Sequence, residues 1–198
     1  MSEALLTQPL VSTAEFDAFL ESQGDDSLWE LVAGRTVAMT NPTEVHEKIT
    51  SNIGGPLISA IDPGRCHVYQ GGIGVQRSDV SDNYRTRPDV VVRYGPVGTR
   101  NFITDPLVIV EVLSPSTMDV DRGEKLRFYK ALPTLRHIAF IYQDQMRVEH
   151  YRRTDEGWPL EVLTSPDEVP AFEAVRCSIP LGRISLGVEP SNVHRLAR

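Results

Sequence analysis

The chain has 198 residues, 40% hydrophobic and 24% charged, enough to bury a core without disulfides and of a size for one ordinary domain, taken here as residues 1–198. A formal net charge of −7 argues against general adhesion to nucleic acid through excess Lys and Arg, while leaving local basic sites open. No apolar run approaches the roughly 20 residues that span a bilayer, the first residues lack the pattern of an export signal, and Cys66 and Cys177 are too few for a disulfide framework; a cytoplasmic protein with no membrane role is expected.

Residues 12–21, STAEFDAFLE, predict a short helix capped by Ser12, with Glu15 completing a capping box and Phe16, Phe19 and Leu20 on the apolar side. LWELVAG and RTVAMT predict two strands joined at Ala33-Gly34. In NPTEVHEKITSNIGGPLISAI, Asn41 as N-cap, Pro42 and Glu44 start a second helix whose stripe is Val45, Ile49, Ile53, Leu57 and Ile61, with a kink or stop expected at Gly54-Gly55-Pro56. Strands follow at CHVYQ, GIGVQR, PDVVVRY and PLVIVEVL, the last two apolar at consecutive positions, as in strands covered on both faces. A helix over 118–132 follows the loop Ser114 to Thr117; RHIAFIYQ and MRVEHYRR then read as an edge hairpin, available for dimerisation, and weaker strands lie beyond residue 155.

Asp89 and Glu111 interrupt two of these apolar strands, and an ionised carboxylate removed from water must be paired, protonated or bound to a metal. If the two strands pair antiparallel about position 100, Asp89 stands opposite Glu111 on one face, and two like charges there call for a shared proton or a divalent cation. Oxygen donors of this kind suit Mg²⁺ or Mn²⁺, with the backbone carbonyl of Val112 as a further ligand. The alternative is an ion-pair network, Asp89 with Arg87 or Arg93 and Glu111 with Lys125. Asp121, Lys125 and Tyr129 fall four apart on one helical face, either as a plain ion pair with a half-buried anchor or turned toward the acids, where Lys125 would act on a water or a phosphoryl oxygen. His46, at the edge of its helix stripe, is either solvated or a proton relay or ligand at the rim. Arg85, Arg87, Arg93 and Arg100 around the first acid, and Arg122, Lys125, Arg127 and Lys130 after the second, are expected mainly as a solvated mixed-charge face.

WELVAGRTVAMTNPTEVHEKI, RPDVVV, VIVEVLSPST and DRGEKLRFYKAL, in that order, resemble the Uma2 family, bacterial domains described as restriction endonucleases of the PD-(D/E)XK nuclease superfamily, over about residues 16–158. The resemblance implies an α/β (α+β) mixed sheet flanked by helices: a restriction-endonuclease-like core with an added N-terminal hairpin and C-terminal strands. It implies Asp89 and Glu111 as metal-binding carboxylates, Lys125 as the catalytic lysine, and Glu30, His46, Asp121 and Tyr129 in support. One departure stands out: the lysine of the E-x-K signature is replaced by Leu113, and the resemblance implies that Lys125 takes over its role. The function so implied is Mg²⁺- or Mn²⁺-dependent hydrolysis of DNA; the alternative is an inactive nuclease-fold protein serving as a binding, regulatory or dimerisation module, with a homodimer as a further expectation.

Overall fold

A computed structural model describes residues 10–23, 28–77, 82–114 and 121–189. The first helix, α1 (Thr13–Ser22), carries the anticipated capping box: the Ser12 amide donates to Glu15 Oε2 at 2.7 Å and the Glu15 amide returns to Ser12 Oγ at 3.3 Å. β1 (Trp29–Val32) and β2 (Arg35–Ala38) pair antiparallel through a turn with Ala33 at φ 50° and Gly34 at φ 77°, left-handed values that suit a tight hairpin.

α2 (Glu44–Ala60) begins two residues later than the Asn41 cap implies. Thr43 caps it, its hydroxyl accepting from the His46 amide at 3.2 Å while donating to Gln143 Oε1 at 3.2 Å. Thr and Asn both cap well, and the contact to Gln143 selects Thr43. The helix also runs through Gly54, Gly55 and Pro56 to Ala60. A Cβ on Gly54 would lie 2.3 Å from Gln70 Oε1, so glycine leaves the end of that side chain its present place against α2. Ile49, Ile53 and Leu57 are buried as the stripe implies, whereas Val45 is exposed.

The central sheet has six strands in the order β10 (Leu160–Leu163), β9 (Val148–Arg152), β8 (His137–Tyr142), β7 (Pro106–Leu113), β5 (Val90–Tyr94), β3 (Cys66–Gln70). β7 and β8 are parallel and the other neighbours antiparallel, a mixed sheet flanked by helices as the family resemblance implies. Short strands β4 (Gly74–Val75) and β6 (Phe102–Ile103) pair beside it, as do β11 (Ala171–Phe172) and β12 (Cys177–Ser178). The hairpin β8–β9 is interior, because β7 covers one side and β10 the other; the edges are β10 and β3. The edge surface expected of residues 136–153 for dimerisation is therefore absent from them.

Between β7 and β8 the chain forms a π-helical turn, Asp121–Lys125, followed by α3 (Leu126–Ala131). The expected helix over 118–132 is thus wound wide in its first described turn, and residues 118–120 lie outside the described segments. Side chains alternate cleanly along β5 and β7. Val90, Val92, Val108, Val110 and Val112 face α2 and the C-terminal segment, including α4 (Leu181–Ile184); Val91, Ile109 and Leu113 face α3. Burial on both faces explains the unbroken apolar runs. Arg85 and Arg87, expected on a solvated face, are buried instead: Arg85 pairs with Asp17, and Arg87 donates to the Trp29 and Gly72 carbonyls. No helix among the described residues is long and apolar enough to cross a membrane.

Ile109 is wholly buried between β5, β8 and α3. Ile109→Ala is expected to lower the unfolding free energy by about 2–5 kcal/mol, read as a lower denaturant midpoint with unchanged slope.

Candidate functional site

The register of β5 on β7 runs Val92 to Val108, Val91 to Ile109 and Val90 to Val110, so one further step sets Asp89 against Glu111 at the end of the sheet. Both acids belong to the α3 face by alternation. Asp89 lies just before β5, where its Oδ2 accepts the Val112 amide at 2.6 Å, and Oδ1 lies 3.2 Å from His46 Nε2, which reaches over from α2. Glu111 is enclosed. Its Oε1 receives Tyr129 OH at 2.5 Å and Lys125 Nζ at 3.3 Å.

Lys125 is the hub of the cluster. Its ammonium lies 2.9 Å from Glu30 Oε2, 3.0 Å from Asp121 Oδ1 and 3.3 Å from Glu111 Oε1, and all four side chains are at most 7% exposed. Glu30 in turn accepts the Arg87 amide at 2.5 Å, which ties β1 to the segment leading into β5. The structure therefore gathers Glu30, His46, Asp89, Glu111, Asp121, Lys125 and Tyr129 into one connected group. Position 113 is different: Leu113 is 1% exposed and packs with Ile109 and Phe140 in the core below α3. Lys125 supplies an ammonium to Glu111 from the neighbouring turn instead.

Three carboxylates thus surround one ammonium, with the Asp89–His46 pair and the Arg87 amide at the margins. Burial drives the Glu111 carboxyl well above the usual carboxylate range; Lys125 opposes this, and the Asp121, Asp89 and Glu30 charges reinforce it. Burial alone would lower the Lys125 pKa, but Glu111, Glu30 and Asp121 overcome it and hold the ammonium charged above the ordinary lysine value. Tyr129 is pushed up by burial and by the Glu111 charge, which keeps its hydroxyl a donor. For His46, burial pulls down and the hydrogen bond and charge of Asp89 more than reverse it. Asp121 Oδ1, although close to Lys125, is buried without an aligned hydrogen bond. Carboxyl groups outnumber cations in the cluster, and Glu111 is the one that burial pushes toward its neutral form.

Among the described residues, no three His, Cys, Asp or Glu side chains converge as a ready ligand cage. The donor set instead fits a hard cation that takes one or two carboxylates and fills its remaining positions with backbone carbonyl and water, as Mg²⁺ does. Asp89 and Glu111 are the pair that suits it. At 16% and 15% side-chain exposure, Asp89 and His46 form the open edge of a group whose other acids and lysine are at most 7% exposed.

Residues 14–181 match the family model described as "Uma2: Putative restriction endonuclease". The chain belongs to the Uma2 family. Among its relatives are two uncharacterized proteins of Synechocystis sp.: slr1290, 30% identical over 151 residues (75% of this chain, 77% of the relative), and sll1609, 27% identical over 161 residues (79% and 89%). A crystal structure titled as a "putative nuclease belonging to DUF820" from Anabaena variabilis shares the fold at TM-score 0.66 and 20% identity, covering 85% of this chain and 95% of that one. Family and fold together are those of restriction-endonuclease-like proteins.

Sequence reasoning passed over the Arg87 amide that anchors Glu30, and over Glu149, which lies two strands from Glu111. The signal for Glu149 was there: in VEHYR it occupies a position whose neighbours two residues away are aromatic or basic, within a strand covered on both faces.

Because the folded value for Glu111 stands above the unfolded one of about 4.3, its stabilising contribution is fully present below that value and is lost as pH rises through the folded one. Glu111→Gln, which mimics the neutral acid, is expected to raise the Tm of the metal-free protein, with the gap over wild type widening as pH increases. Thermal melts in a chelator across a pH series check this; a gap that stays constant or narrows contradicts it.

Proposed function

We propose that the protein is a divalent-metal-dependent endonuclease that hydrolyses phosphodiester bonds in DNA, with Asp89, Glu111 and Lys125 at its centre. The observation that carries this reading is the buried excess of carboxylate around Lys125, open to solvent only at Asp89 and His46. Family membership supports the reaction class. Asp89 and Glu111 hold the cation, with the Val112 carbonyl as a third donor. When bound, Mg²⁺ or Mn²⁺ supplies Lewis-acid polarisation of a phosphoryl oxygen.

The chain's own residues do the remaining work. The Val112 amide fixes the Asp89 carboxylate, and Tyr129 OH fixes that of Glu111, so that neither has to reorient when substrate arrives. Lys125 stays an ammonium because Glu30 and Asp121 flank it, and it stabilises negative charge developing on the phosphoryl oxygens. His46, hydrogen-bonded to Asp89 at the open edge, accepts and returns a proton there. Lys125 thereby performs from the π-helical turn what the E-x-K lysine performs from the strand.

A second reading, a non-catalytic binding module of the same fold, draws on the lack of a three-ligand cage among the described residues. Cleavage of supercoiled plasmid in Mg²⁺ or Mn²⁺ separates the two. Asp89→Ala and Glu111→Ala are expected to abolish nicking with folding retained, and Lys125→Met to slow it roughly 10²–10³-fold. Wild-type protein free of nicking activity would favour the binding module, and mutants as active as wild type would remove Asp89 and Glu111 from the reaction.

A further inference from the structure

On the same sheet face, Glu111 neighbours Phe140 across the parallel β7–β8 pair, and Phe140 neighbours Glu149 across β8–β9. At roughly 4.8 Å per strand, Glu149 stands about 10 Å from Glu111 along one row. Its carboxylate is fully buried, yet it is shared by two arginines that are not: Arg122 and Arg147 are 45% and 32% exposed at the side chain. Arg122 presents Nε to Oε2 and Nη2 to Oε1, both at 3.1 Å; Arg147 presents Nη2 at 2.9 Å and Nε at 3.3 Å to Oε1. Tyr142 OH donates to Oε1 at 2.9 Å, and the Arg147 guanidinium lies over the Tyr142 ring, 5.3 Å from its centroid.

Burial pushes the Glu149 carboxyl up, but hydrogen bonds from Arg147 and Tyr142 together with Arg122 outweigh it and hold the group below its ordinary value, so it remains an anion. One anion organises two guanidiniums. Each arginine spends its Nε–Nη2 edge on Glu149, and the Nη1 amino group of each stays outside that pairing. Rigidly held guanidinium forks of this kind match the oxygens of a phosphodiester. Arg122 also directly follows Asp121 in the turn that carries Lys125, so whatever it binds is fixed relative to the acidic cluster.

We propose that Arg122 and Arg147, set side by side on Glu149, form a cradle for a backbone phosphate of the nucleic-acid strand flanking the cleaved bond. The cradle explains how a chain of net charge −7 holds a polyanion: the contact is local and built, and it lies beside the acids that must receive the scissile phosphate. It rests on the nuclease reading and adds to it the residues that position the strand.

The test is binding of a fluorescein-labelled DNA oligonucleotide, single- and double-stranded, followed by anisotropy without divalent cation over a salt series. The variants are R122Q, R147Q and the triple R122Q/R147Q/E149Q, in which no buried carboxylate is left unpaired; R136Q, an exposed arginine at the other end of β8, serves as control. Each cradle arginine removed is expected to weaken binding several-fold and to reduce the slope of log Kd against log salt by about one, with R136Q like wild type. Wild-type binding with an unchanged slope in the triple variant overturns the cradle and leaves the nuclease reading standing. No binding by wild type overturns both.

Discussion

One buried ammonium organises the cluster. Lys125 Nζ is shared by Glu30 from β1, Glu111 from β7 and Asp121 from its own turn, each within 3.3 Å. Taking three carboxylates and a lysine out of water is costly unless every charge is met by partners at short range. The local structure bends to that requirement: the turn bearing Lys125 is π-helical, an uncommon winding often found at functional sites. Glu30 is likewise pinned by the Arg87 amide, which carries the constraint into the segment leading to Asp89.

Around that hub, the two faces of the sheet divide the labour. The face toward α2 is almost wholly aliphatic and gives the molecule a rigid base, with Val90, Val92, Val108 and Val110 at 0% exposure. The opposite face carries the acids at its end and aromatic packing farther in, including Phe128, Tyr129 and Phe140. His46 bridges the two, since its helix packs on the aliphatic face while its imidazole meets Asp89. A reactive group placed at the end of a rigid sheet inherits the precision of the sheet, which polar chemistry on loops lacks.

Much of this was legible in the sequence. The strand bounds of PLVIVEVL and CHVYQ, the Ser12 capping box, and the register about position 100 all follow from side-chain period and local capping, which act within a few residues. The face shared by Asp121, Lys125 and Tyr129 was legible too, although the wide turn was not, because the carboxylate from β1 that draws Lys125 inward is remote in sequence. The same remoteness explains the other departures. Thr43 rather than Asn41 caps α2 through Gln143, 100 residues away. The hairpin β8–β9 reads as an edge until β10, whose pattern is weak and largely exposed, closes over it. Arg85 and Arg87 look like solvated charge because their partners, Asp17 and the Trp29 and Gly72 carbonyls, lie far along the chain.

The central claim is that the neighbouring carboxyl groups of Asp89 and Glu111 exist to hold a divalent cation. Titration calorimetry with Mn²⁺ on the wild type and on the Asp89→Ala, Glu111→Ala double variant, with folding checked by circular dichroism, tests it most directly. The account predicts saturable binding by the wild type that is lost in a folded double variant; equal binding by both, or none by the wild type, would contradict it.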